Sequence, residues 1–551
     1  MRLAKVQKKL PKLGKGLYYD PLYGYIPTSG IVRRLIDLEV FQRLRGIRQL
    51  STLYLVFPGA THTRFEHSVG SSFLAQLAYD RLSDFHSQTH TDNIKKIQFN
   101  EITYRAMEIS ALLHDIGHGP FCHVFEMFCR RDVTYREWTH ERWGNRLITG
   151  KDIAGNELTD PIFNQIPTYL SDLKSVLESK YSGEEKEAIG LIEPKNIAAL
   201  SFGKPIDLGD EELTNRYSFL CDLIPSTFGI DRLDYLRRDA FYTGVKTGDV
   251  DIWDIVANME IHTHEDKNRL FLNASSAMSM ESMLKARETV YRRLYYNSIH
   301  RAAQELIIRA LLDLNKKPNE LAFLTDNDLL NLFEKSKNPF INEVAERIRY
   351  RILYEVLPIA NFRKIHDYKQ NLTDEYWKRE NGWRDFKAIE EGLKIKVNMS
   401  AQGRVMFDLI DIPAIKAEDF KEDMFYDEIT QRPLNICEVF RHMRHAYGGN
   451  TDEFSDLSKI KAYNLNVSNC YLSFPFDFIY SEIEEILSDP TKTTESLYKN
   501  KLQPLVEGFF TEIVQVNADQ ANEILDDFKV KTINYLNGII RLYKDYGINS
   551  P

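Results

Sequence analysis

The chain lacks several features that would place it in a specialised class of protein. Its 551 residues contain only five cysteines, without a Cys-x-x-Cys pair, so the sequence predicts neither a disulfide framework nor a zinc ribbon. No apolar run approaches the roughly 20 residues needed to cross a bilayer. Basic residues are not in excess either, because the net charge of −9 argues against a globally basic nucleic-acid binder. We therefore expect a cytoplasmic protein without a membrane partner.

The length and pattern of the chain predict several regions rather than one domain. A basic N-terminal arm covers residues 1–19, and apolar residues at helical spacing dominate residues 20–320. Within that region, residues 150–215 are charged and rich in glycine and proline, which indicates a loop-rich insertion or lid. Residues 321–551 mix patterns, and a strand-like alternation runs through residues 405–410.

The stretch Ala111–Pro120, with the sequence ALLHDIGHGP, carries the strongest chemical signal. An apolar, helix-forming approach ends in His114 and Asp115, and two glycines and a proline follow. Imidazole and carboxylate groups both offer lone pairs to a divalent metal when they are deprotonated. A histidine that caps the last carbonyls of a helix would also explain the pair alone. Metal chemistry is favoured because the first 140 residues contain further histidines, among them His67, His118, His123 and His140.

A distant aspartate extends this pair into a larger set. The spacing of apolar residues predicts helices over about 61–85 and 101–116, and another around Asp231. Together, His67, His114, Asp115 and Asp231 offer two imidazoles and two carboxylates. Such a set suits Mn²⁺, Fe²⁺, Mg²⁺ or Zn²⁺ and leaves open positions for water and a phosphate oxygen. The remaining histidines are candidates for protonating a leaving alkoxide.

A long helix predicted from Met280 to Leu312 interleaves arginines with tyrosines. Arginine forks suit the oxygens of a triphosphate, and tyrosine rings suit a sugar or a base. A packed oligomer interface would use the same residue types. The pattern alone leaves both interpretations open.

Five blocks of the sequence follow one another in a characteristic order. They are FQRLRGIRQL from Phe41, FPGATHTRFEHS from Phe57, HDIGHGPFCH from His114, WTHE from Trp138 and DYLRRD from Asp234. These blocks resemble the HD-domain superfamily of metal phosphohydrolases, and most closely the SAM-and-HD-domain dNTP triphosphohydrolases, in the form of a bacterial-type relative without the sterile-alpha-motif domain. The resemblance covers residues 20–302. It implies a mainly α fold, with a helical HD core over 20–320 and a mixed α/β C-terminal lobe over 321–551 that contains a small antiparallel sheet.

The matched blocks also imply roles for individual residues. A divalent metal would be held by His67, His114, Asp115 and Asp231. The catalytic group around the α-phosphate would contain Asp115, His118, His123 and His140, with His140 or His118 as the general acid. The residues that bind the substrate would be Gln49, Leu50, Arg64, Arg232, Tyr235, Asp239, Arg287 and Tyr295.

The implied reaction is attack of water on the α-phosphorus of a dNTP, which releases a deoxynucleoside and inorganic triphosphate. A second Mg²⁺ could accompany the triphosphate. Gln49 and Asp239 would contact the sugar 3′-hydroxyl, and Leu50 with Tyr295 would crowd C2′. Such crowding selects deoxyribose, because a 2′-hydroxyl would clash or lose its hydrogen bonds.

The resemblance also implies regulation and assembly. Animal members of the family are activated by nucleotides bound between subunits, and Asp37, Gln42 and Arg45 match part of that site, with Lys15 near the position of an expected lysine. We therefore expect a regulatory nucleotide of undefined base and a homo-oligomer, with a tetramer favoured. Control of the dNTP pool and depletion of nucleotides against phage both fit as biological roles.

Two other functions share some of these features. A phosphodiesterase or nuclease of the HD type would use the same metal set on single-stranded nucleic acid or a signalling nucleotide, and the basic arm supports it. The overall acidity and the Leu50–Tyr295 pair favour a dNTP instead. A nucleotide sensor without catalysis is disfavoured, because all four expected ligands and the three further histidines are present.

Overall fold

The computed structural model describes a mainly α-helical chain. It describes residues 16–361 apart from 89–93, 95, 132–133, 153 and 249, and beyond them residues 391–392, 406–412, 423–427, 432–436, 438–439, 467–475, 477–489, 491–509 and 518–546. Lys15 and most of the basic arm lie outside the described residues. In the described part, no helix is both long enough and apolar enough to cross a membrane.

Helices occupy most of the described chain. Up to residue 260 they are α1 (Gly30–Ile36), α2 (Glu39–Gln42), α3 (Arg64–Gln88), α4 (Glu101–Leu113), α5 (His123–Arg131), α6 (His140–Thr149), α7 (Gln165–Lys180), α8 (Pro194–Ser201), α9 (Glu211–Tyr217), α10 (Ile230–Thr243) and α11 (Ile252–Ala257). The later helices are α12 (Ala277–Val290), α13 (Ser298–Asp313), α14 (Pro318–Leu321), α15 (Asp326–Glu334), α16 (Pro339–Tyr350), α17 (Asp477–Ser488), α18 (Thr494–Leu497), α19 (Gln503–Phe509) and α20 (Ala518–Tyr546).

Short strands form three small sheets among the described residues. The first is a hairpin of β1 (Gly16–Asp20) and β2 (Gly24–Thr28). The second has the order β3 (Met259–His264), β4 (Lys267–Leu272), β7 (Asp423–Asp427) and β8 (Arg432–Asn435), in which β4 and β7 are parallel. The third places β9 (Val467–Phe474) between β5 (Glu355–Asn361) and β6 (Met406–Ile412), and both pairings are antiparallel. The predicted helical core and C-terminal lobe with a small antiparallel sheet are confirmed.

Helix α4 lies at the centre of the core and determines where its last residues are placed. It begins after Asn100, whose side chain accepts hydrogen bonds from two amide groups of the first turn. Eleven of its thirteen residues are buried, and it packs along α3. Because the helix ends at Leu113, His114 and Asp115 follow in the buried interior. Gly117 then allows a close approach to the start of α6, since a Cβ there would overlap the carbonyl oxygen of His140.

Two predictions about local structure are wrong. The helix expected from Met280 to Leu312 is divided into α12, a π-helical turn over Tyr291–Tyr295, and α13. The side chain of Asn297 accepts hydrogen bonds from the first amide groups of α13, so it begins a new helix there. The segment 150–215 is not loop-rich, because α7 and α8 bury apolar side chains in the same core. Its movement as a lid stays a prediction.

Candidate metal and nucleotide site

Four side chains from three helices, three of them buried, lie next to one another, and we call this group the histidine–aspartate cluster. His67 comes from α3, His114 and Asp115 follow α4, and Asp231 lies in the first turn of α10. His67 Nε2 lies 3.0 Å from Asp231 Oδ1, 3.1 Å from His114 Nε2 and 3.4 Å from Asp115 Oδ2. His114 Nε2 lies 3.4 Å from Asp231 Oδ1 and 3.6 Å from Asp115 Oδ2.

The distances among His67, His114 and Asp231 fit a divalent cation. Ligand atoms about 2.1 Å from a metal ion at tetrahedral or octahedral angles lie about 3.0 to 3.4 Å from one another. The second ring nitrogens are already engaged, since His67 Nδ1 lies 2.7 Å from Asp234 Oδ2 and His114 Nδ1 lies 2.8 Å from the carbonyl oxygen of Ala111. Such hydrogen bonds direct the Nε2 lone pairs of metal-ligating histidines toward the ion.

The electrostatics of the cluster favour positive charge at its centre. Burial lowers the pKa of His67, but hydrogen bonds to Asp231 and Asp234 outweigh burial and raise that pKa to about 10. Burial raises the pKa of Asp231, but hydrogen bonds from His114 and His67 outweigh it and lower that pKa. Either a proton or a metal ion at the centre would satisfy the imidazole nitrogens and carboxylate oxygens of the cluster. Protons and metal ions would therefore compete for this site.

Asp234 supports this cluster, although sequence reasoning gave it no role of its own. It is fully buried, and it accepts hydrogen bonds from Arg238 at 2.8 and 2.9 Å and from the hydroxyl of Tyr23 at 2.8 Å. Arg238 also donates to Asp20, at 2.7 Å, which connects the β1–β2 hairpin to α10. In the sequence, the spacing of Asp234 and Arg238, one helical turn apart, is the feature that indicates this ion pair.

The three further histidines form a second group beside the cluster. His118 Nε2 lies 3.2 Å from Asp115 Oδ1, and the rings of His118 and His140 stack with centroids 4.1 Å apart. The ring of His123 stands edge-on to both others.

Glu126, which sequence reasoning missed, fixes the orientation of His140. His140 Nδ1 lies 2.8 Å from Glu126 Oε2. Burial raises the pKa of Glu126, but hydrogen bonds from His123 and His140 outweigh it and hold that pKa well below its ordinary value. An ionised Glu126 accepts the Nδ1 proton, so Nε2 is the ring nitrogen left for other partners. In the sequence, the position of Glu126, one helical turn after His123, is the feature that indicates a carboxylate partner for the histidines.

A cavity of about 630 Å³ opens above these groups. Of the proposed ligands and catalytic residues, Asp115, His118, His123, His140 and Asp231 line it. All eight residues predicted to bind substrate line it as well: Gln49, Leu50, Arg64, Arg232, Tyr235, Asp239, Arg287 and Tyr295. His67 and His114 are buried and do not line the cavity. Five arginines around one cavity favour a polyanion such as a triphosphate, and the two that the sequence did not indicate are Arg130 and Arg301.

One wall of the cavity carries the residues predicted to contact the sugar. The hydroxyl of Tyr295 donates to the carboxylate of Asp239, whose Oδ1 lies 2.8 Å from His62 Nε2. Gln49 Oε1 is buried and has no hydrogen-bond partner among the described residues. An acceptor without a partner beside an anchored carboxylate suits a hydroxyl group of a ligand. Leu50 lies next to Gln49 and is only 7% exposed.

The predicted regulatory residues lie outside this cavity. Asp37 ends α1, and Gln42 donates to the carbonyl oxygen of Ile36 at 2.8 Å. Arg45 donates to Gln42 Oε1 at 2.9 Å, and its guanidinium lies 3.4 Å from the ring centroid of Phe65. Lys15 is not among the described residues, so the structure describes three of the four.

Comparison with known proteins gives matches of three kinds. Residues 250–416 match the family described as an HD associated region. The chain is 25% identical over 394 residues to the deoxynucleoside triphosphate triphosphohydrolase SAMHD1 homolog of Dictyostelium discoideum, across 68% of this chain and 67% of that protein. It is 26% identical over 398 residues to deoxynucleoside triphosphate triphosphohydrolase SAMHD1 of Gallus gallus, across 65% of this chain and 58% of that protein.

A solved structure shares the fold. It is a hypothetical protein from Aquifex aeolicus, which superposes with a TM-score of 0.53 at 24% identity and covers 85% of this chain and 98% of its own. The resemblance indicated by the five sequence blocks is confirmed by these matches.

Proposed function

We propose that this chain, which is similar to the HD-domain dNTP triphosphohydrolases, hydrolyses deoxynucleoside triphosphates to a deoxynucleoside and inorganic triphosphate. One observation carries the proposal. Ligand atoms of His67, His114 and Asp231 lie within 4.8 Å of one another, Asp115 lies beside the two histidines, and the cavity above them is lined by five arginines. A cation site beneath a polycationic cavity suits a nucleotide that is cleaved at a phosphate.

His67, His114, Asp115 and Asp231 are the residues we propose as metal ligands. A divalent ion bound there would supply Lewis-acid polarisation of the α-phosphoryl group. Mn²⁺, Fe²⁺, Mg²⁺ and Zn²⁺ all suit two imidazoles and two carboxylates. Arg232 and Arg287 would hold the β- and γ-phosphates, since guanidinium forks match phosphate oxygens.

His140 would protonate the leaving group. Its Nδ1 is held by Glu126 at 2.8 Å, so its Nε2 is the nitrogen that would give a proton to the 5′-oxygen of the nucleoside. His118 stacks on the same ring and limits its rotation. His123 would complete the group around the α-phosphate. A water molecule attacks phosphorus from the side opposite to the leaving oxygen.

Deoxyribose would be selected at the wall that carries Leu50 and Tyr295. Tyr295 is held in place by its hydrogen bond to Asp239, and Leu50 offers no polar atom to a 2′-hydroxyl. A ribose there would bury a hydroxyl without a partner, which costs about 1 to 3 kcal/mol. Gln49 and Asp239 would accept hydrogen bonds from the 3′-hydroxyl.

Regulation and assembly belong to the same proposal. Asp37, Gln42 and Arg45 cluster on the surface between α1 and α3, where a guanidinium stacked over Phe65 offers a platform for a regulatory nucleotide. We expect this site to be completed in a homotetramer. Both dNTP pool control and antiphage nucleotide depletion would follow from the activity.

The test is a product analysis. The purified chain is incubated with Mn²⁺ or Mg²⁺ and each dNTP or NTP, singly and in mixtures, and with a single-stranded oligonucleotide. Deoxynucleoside and triphosphate should appear from dNTPs and be lost in His114→Ala, while Arg349→Lys, a change in α16 outside the cavity, should retain them. Shortened oligonucleotide, diphosphate or monophosphate as the product would instead indicate the phosphodiesterase or nuclease activity.

A further inference from the structure

A further set of possible metal ligands lies beside the histidine–aspartate cluster, and we call it the histidine–glutamate group. It consists of His123, Glu126 and His140. One ligand atom of each residue lies within 4.8 Å of the ligand atoms of the other two. The group therefore offers two imidazoles and one carboxylate, none of which belongs to the four proposed ligands of the first metal site.

The beginnings of two helices position the three side chains. His123 begins α5 and Glu126 follows one helical turn later, so both side chains lie on the same face of that helix. His140 begins α6, and its backbone is held close to Gly117, where a Cβ would overlap the His140 carbonyl oxygen. The ligand positions are therefore set by packed helices, which place side chains more precisely than loops do.

The distances within the group fit a tetrahedral ion. His140 Nδ1 lies 2.8 Å from Glu126 Oε2, and His123 Nδ1 lies 3.9 Å from the same oxygen. Ligand atoms about 2.1 Å from a tetrahedral zinc ion lie about 3.4 Å from one another, between these two distances. The side chain of His123 is 62% exposed, so it can approach the carboxylate without displacing the core. The same exposure gives an ion access to the group.

Two arginines lie near the group, and both contact other atoms of it. Arg130 Nη2 donates to Glu126 Oε1 at 2.5 Å, and Arg64 Nη2 lies 3.4 Å from His123 Nε2. The proposed ligand atoms are instead Glu126 Oε2 and the two Nδ1 atoms. Arg130 is exposed, so solvent and salt screen its charge. Glu126 is buried and ionised, and it supplies the negative charge that a cation requires.

We propose that His123, Glu126 and His140 form a second metal site, that Zn²⁺ suits it best, and that an ion bound there inhibits hydrolysis. Two histidines and one glutamate are the protein ligands of several zinc sites, where water takes the fourth position. Mg²⁺ prefers oxygen ligands, and Mn²⁺ binds the same nitrogen and oxygen ligands more weakly than Zn²⁺. Mn²⁺ would therefore leave this group empty, whereas Zn²⁺ would fill it.

The inhibitory effect rests on the proposed function, in which His140 protonates the leaving 5′-oxygen. In the absence of zinc, the ring carries protons on both nitrogens before the transfer, and it becomes a neutral imidazole when Nε2 gives up its proton. With Zn²⁺ on Nδ1, the ring carries only the Nε2 proton. Loss of that proton would leave an imidazolate, so the ring would be a much weaker acid.

A zinc count tests the site without any need for hydrolysis. The variant His67→Ala, Asp231→Asn, which lacks two proposed ligands of the first site, is freed of metal and dialysed against Zn²⁺ or Mn²⁺. Elemental analysis should find one equivalent of Zn²⁺ per chain and no Mn²⁺. Adding Glu126→Gln should weaken zinc binding by at least about tenfold, because even residues that only orient zinc ligands contribute about 10- to 100-fold.

Two further variants complete the count. His123→Ala truncates an exposed side chain, so it should weaken zinc binding in the same way and provides the test if Glu126→Gln does not fold. Glu343→Gln is the matched control. Glu343 pairs with Arg347 at 2.6 Å in α16, four residues along the helix, as Glu126 pairs with Arg130 in α5. The control should bind zinc as its parent does.

Inhibition is measured on the chain with an intact first site at saturating Mn²⁺. Added Zn²⁺ should lower kcat about 100-fold or more, the contribution of a general acid. Glu126→Gln has a lower rate of its own, and that residual rate should require at least about tenfold more Zn²⁺ for half inhibition. Glu343→Gln should be inhibited as the wild type is. Equal zinc sensitivity of all three proteins indicates exchange of Mn²⁺ at the first site and would overturn the inhibitory role.

Failure of the site and failure of the proposed function give different results. No zinc on His67→Ala, Asp231→Asn would overturn the second site, and so would zinc that neither Glu126→Gln nor His123→Ala weakens. If no dNTP is hydrolysed, the proposed function and the inhibitory role fall together. The zinc count still decides whether His123, Glu126 and His140 bind a metal ion.

Discussion

Two buried charged clusters in this chain differ in the balance of donors and acceptors. In the histidine–aspartate cluster, two carboxylates and two imidazoles direct acceptor atoms at one point. The second, which we call the Glu305 cluster, surrounds one carboxylate with Arg131, Arg301 and Arg309. Arg131 donates two hydrogen bonds to Glu305, at 2.6 and 2.7 Å, Arg309 also donates to it, and Arg301 lies 3.4 Å away.

The difference shows which buried charges are neutralised by other side chains of the protein. Burial raises the pKa of Glu305, but the arginines outweigh burial and lower that pKa to about 2. The carboxylate of Glu305 therefore stays ionised in the folded protein. Arg309 also reaches the carbonyl oxygen of Phe407 in β6, at 3.4 Å, and so connects α13 to the C-terminal lobe. In the histidine–aspartate cluster, Arg64 pairs with Asp115, whereas the printed partners of Asp231 are the imidazoles of His67 and His114. We therefore expect the first cluster to act in catalysis and the second to act in stability.

The largest expected effect is on catalysis by the first cluster. Asp231→Asn replaces a proposed ligand by a neutral group of the same shape, so dNTP hydrolysis should fall about a thousandfold or more, which is about 4 kcal/mol in the barrier. Steady-state rates at saturating Mn²⁺ measure this effect. Stability should change little, since Asp231 is partly exposed at 31%. A rate within tenfold of the wild type would remove Asp231 from the proposed ligands.

The opposite result is expected for the second cluster. Glu305→Gln leaves buried arginines without their carboxylate, and it should lower the free energy of unfolding by about 3 to 5 kcal/mol. Urea denaturation followed by circular dichroism measures this change. The variant should still be stabilised by added metal, unlike Asp231→Asn. Unchanged stability would show that the cluster is not needed for the fold.

A smaller effect is expected from the support of the first cluster. Asp234→Asn weakens the hydrogen bond that orients His67, so metal affinity should fall about 10- to 100-fold. Titration of the metal-free protein with Mn²⁺ measures the affinity. Asp222→Asn, at a carboxylate paired with Arg269 outside the cavity, is a matched control and should bind the metal as the wild type does. Equal affinities in both variants would argue against a role for Asp234.

Asp326, a third kind of buried carboxyl, refines the comparison. It accepts hydrogen bonds from the backbone amides of Arg48, at 3.0 Å, and Phe121, at 2.6 Å, and burial raises its pKa to about 6. Since this pKa is above that of the unfolded chain, its contribution to stability is present below about pH 4 and is lost as the pH rises through about 6. Between about pH 7.5 and pH 4.5, the wild type should gain about 2 kcal/mol relative to Asp326→Asn in urea denaturation. A pH-independent difference would contradict this pKa.

The helices and the position of the site could be predicted largely from the sequence. The apolar spacing around Leu112 predicted a buried central helix, and the His114–Asp115 pair was expected at its end. The Met280–Leu312 helix was predicted as continuous, because arginine and tyrosine spacing does not indicate the break that Asn297 caps. The loop-rich character predicted for residues 150–215 is wrong, since glycines and prolines between short helices resemble a loop in the sequence.

Supporting residues could not be predicted with the same ease. Glu126 orients His140 and Asp234 orients His67, and in each pair the two residues lie far apart in the sequence. Arg301 and Gln304 resembled ordinary polar residues of an amphipathic helix, and only the fold places them beside Ser51 in the cavity. Sequence blocks therefore identify residues that contact a ligand better than residues that orient them.

The central claim is that the histidine–aspartate cluster holds one divalent ion. The most direct test is to titrate metal-free protein with Mn²⁺, Fe²⁺, Zn²⁺ and Mg²⁺ and to measure bound metal by elemental analysis. We predict that the wild type binds one equivalent per chain of at least one of these ions, and that the double variant His67→Ala, Asp231→Asn, folded by circular dichroism, loses it. Equal binding of all four ions by the two proteins would contradict the claim.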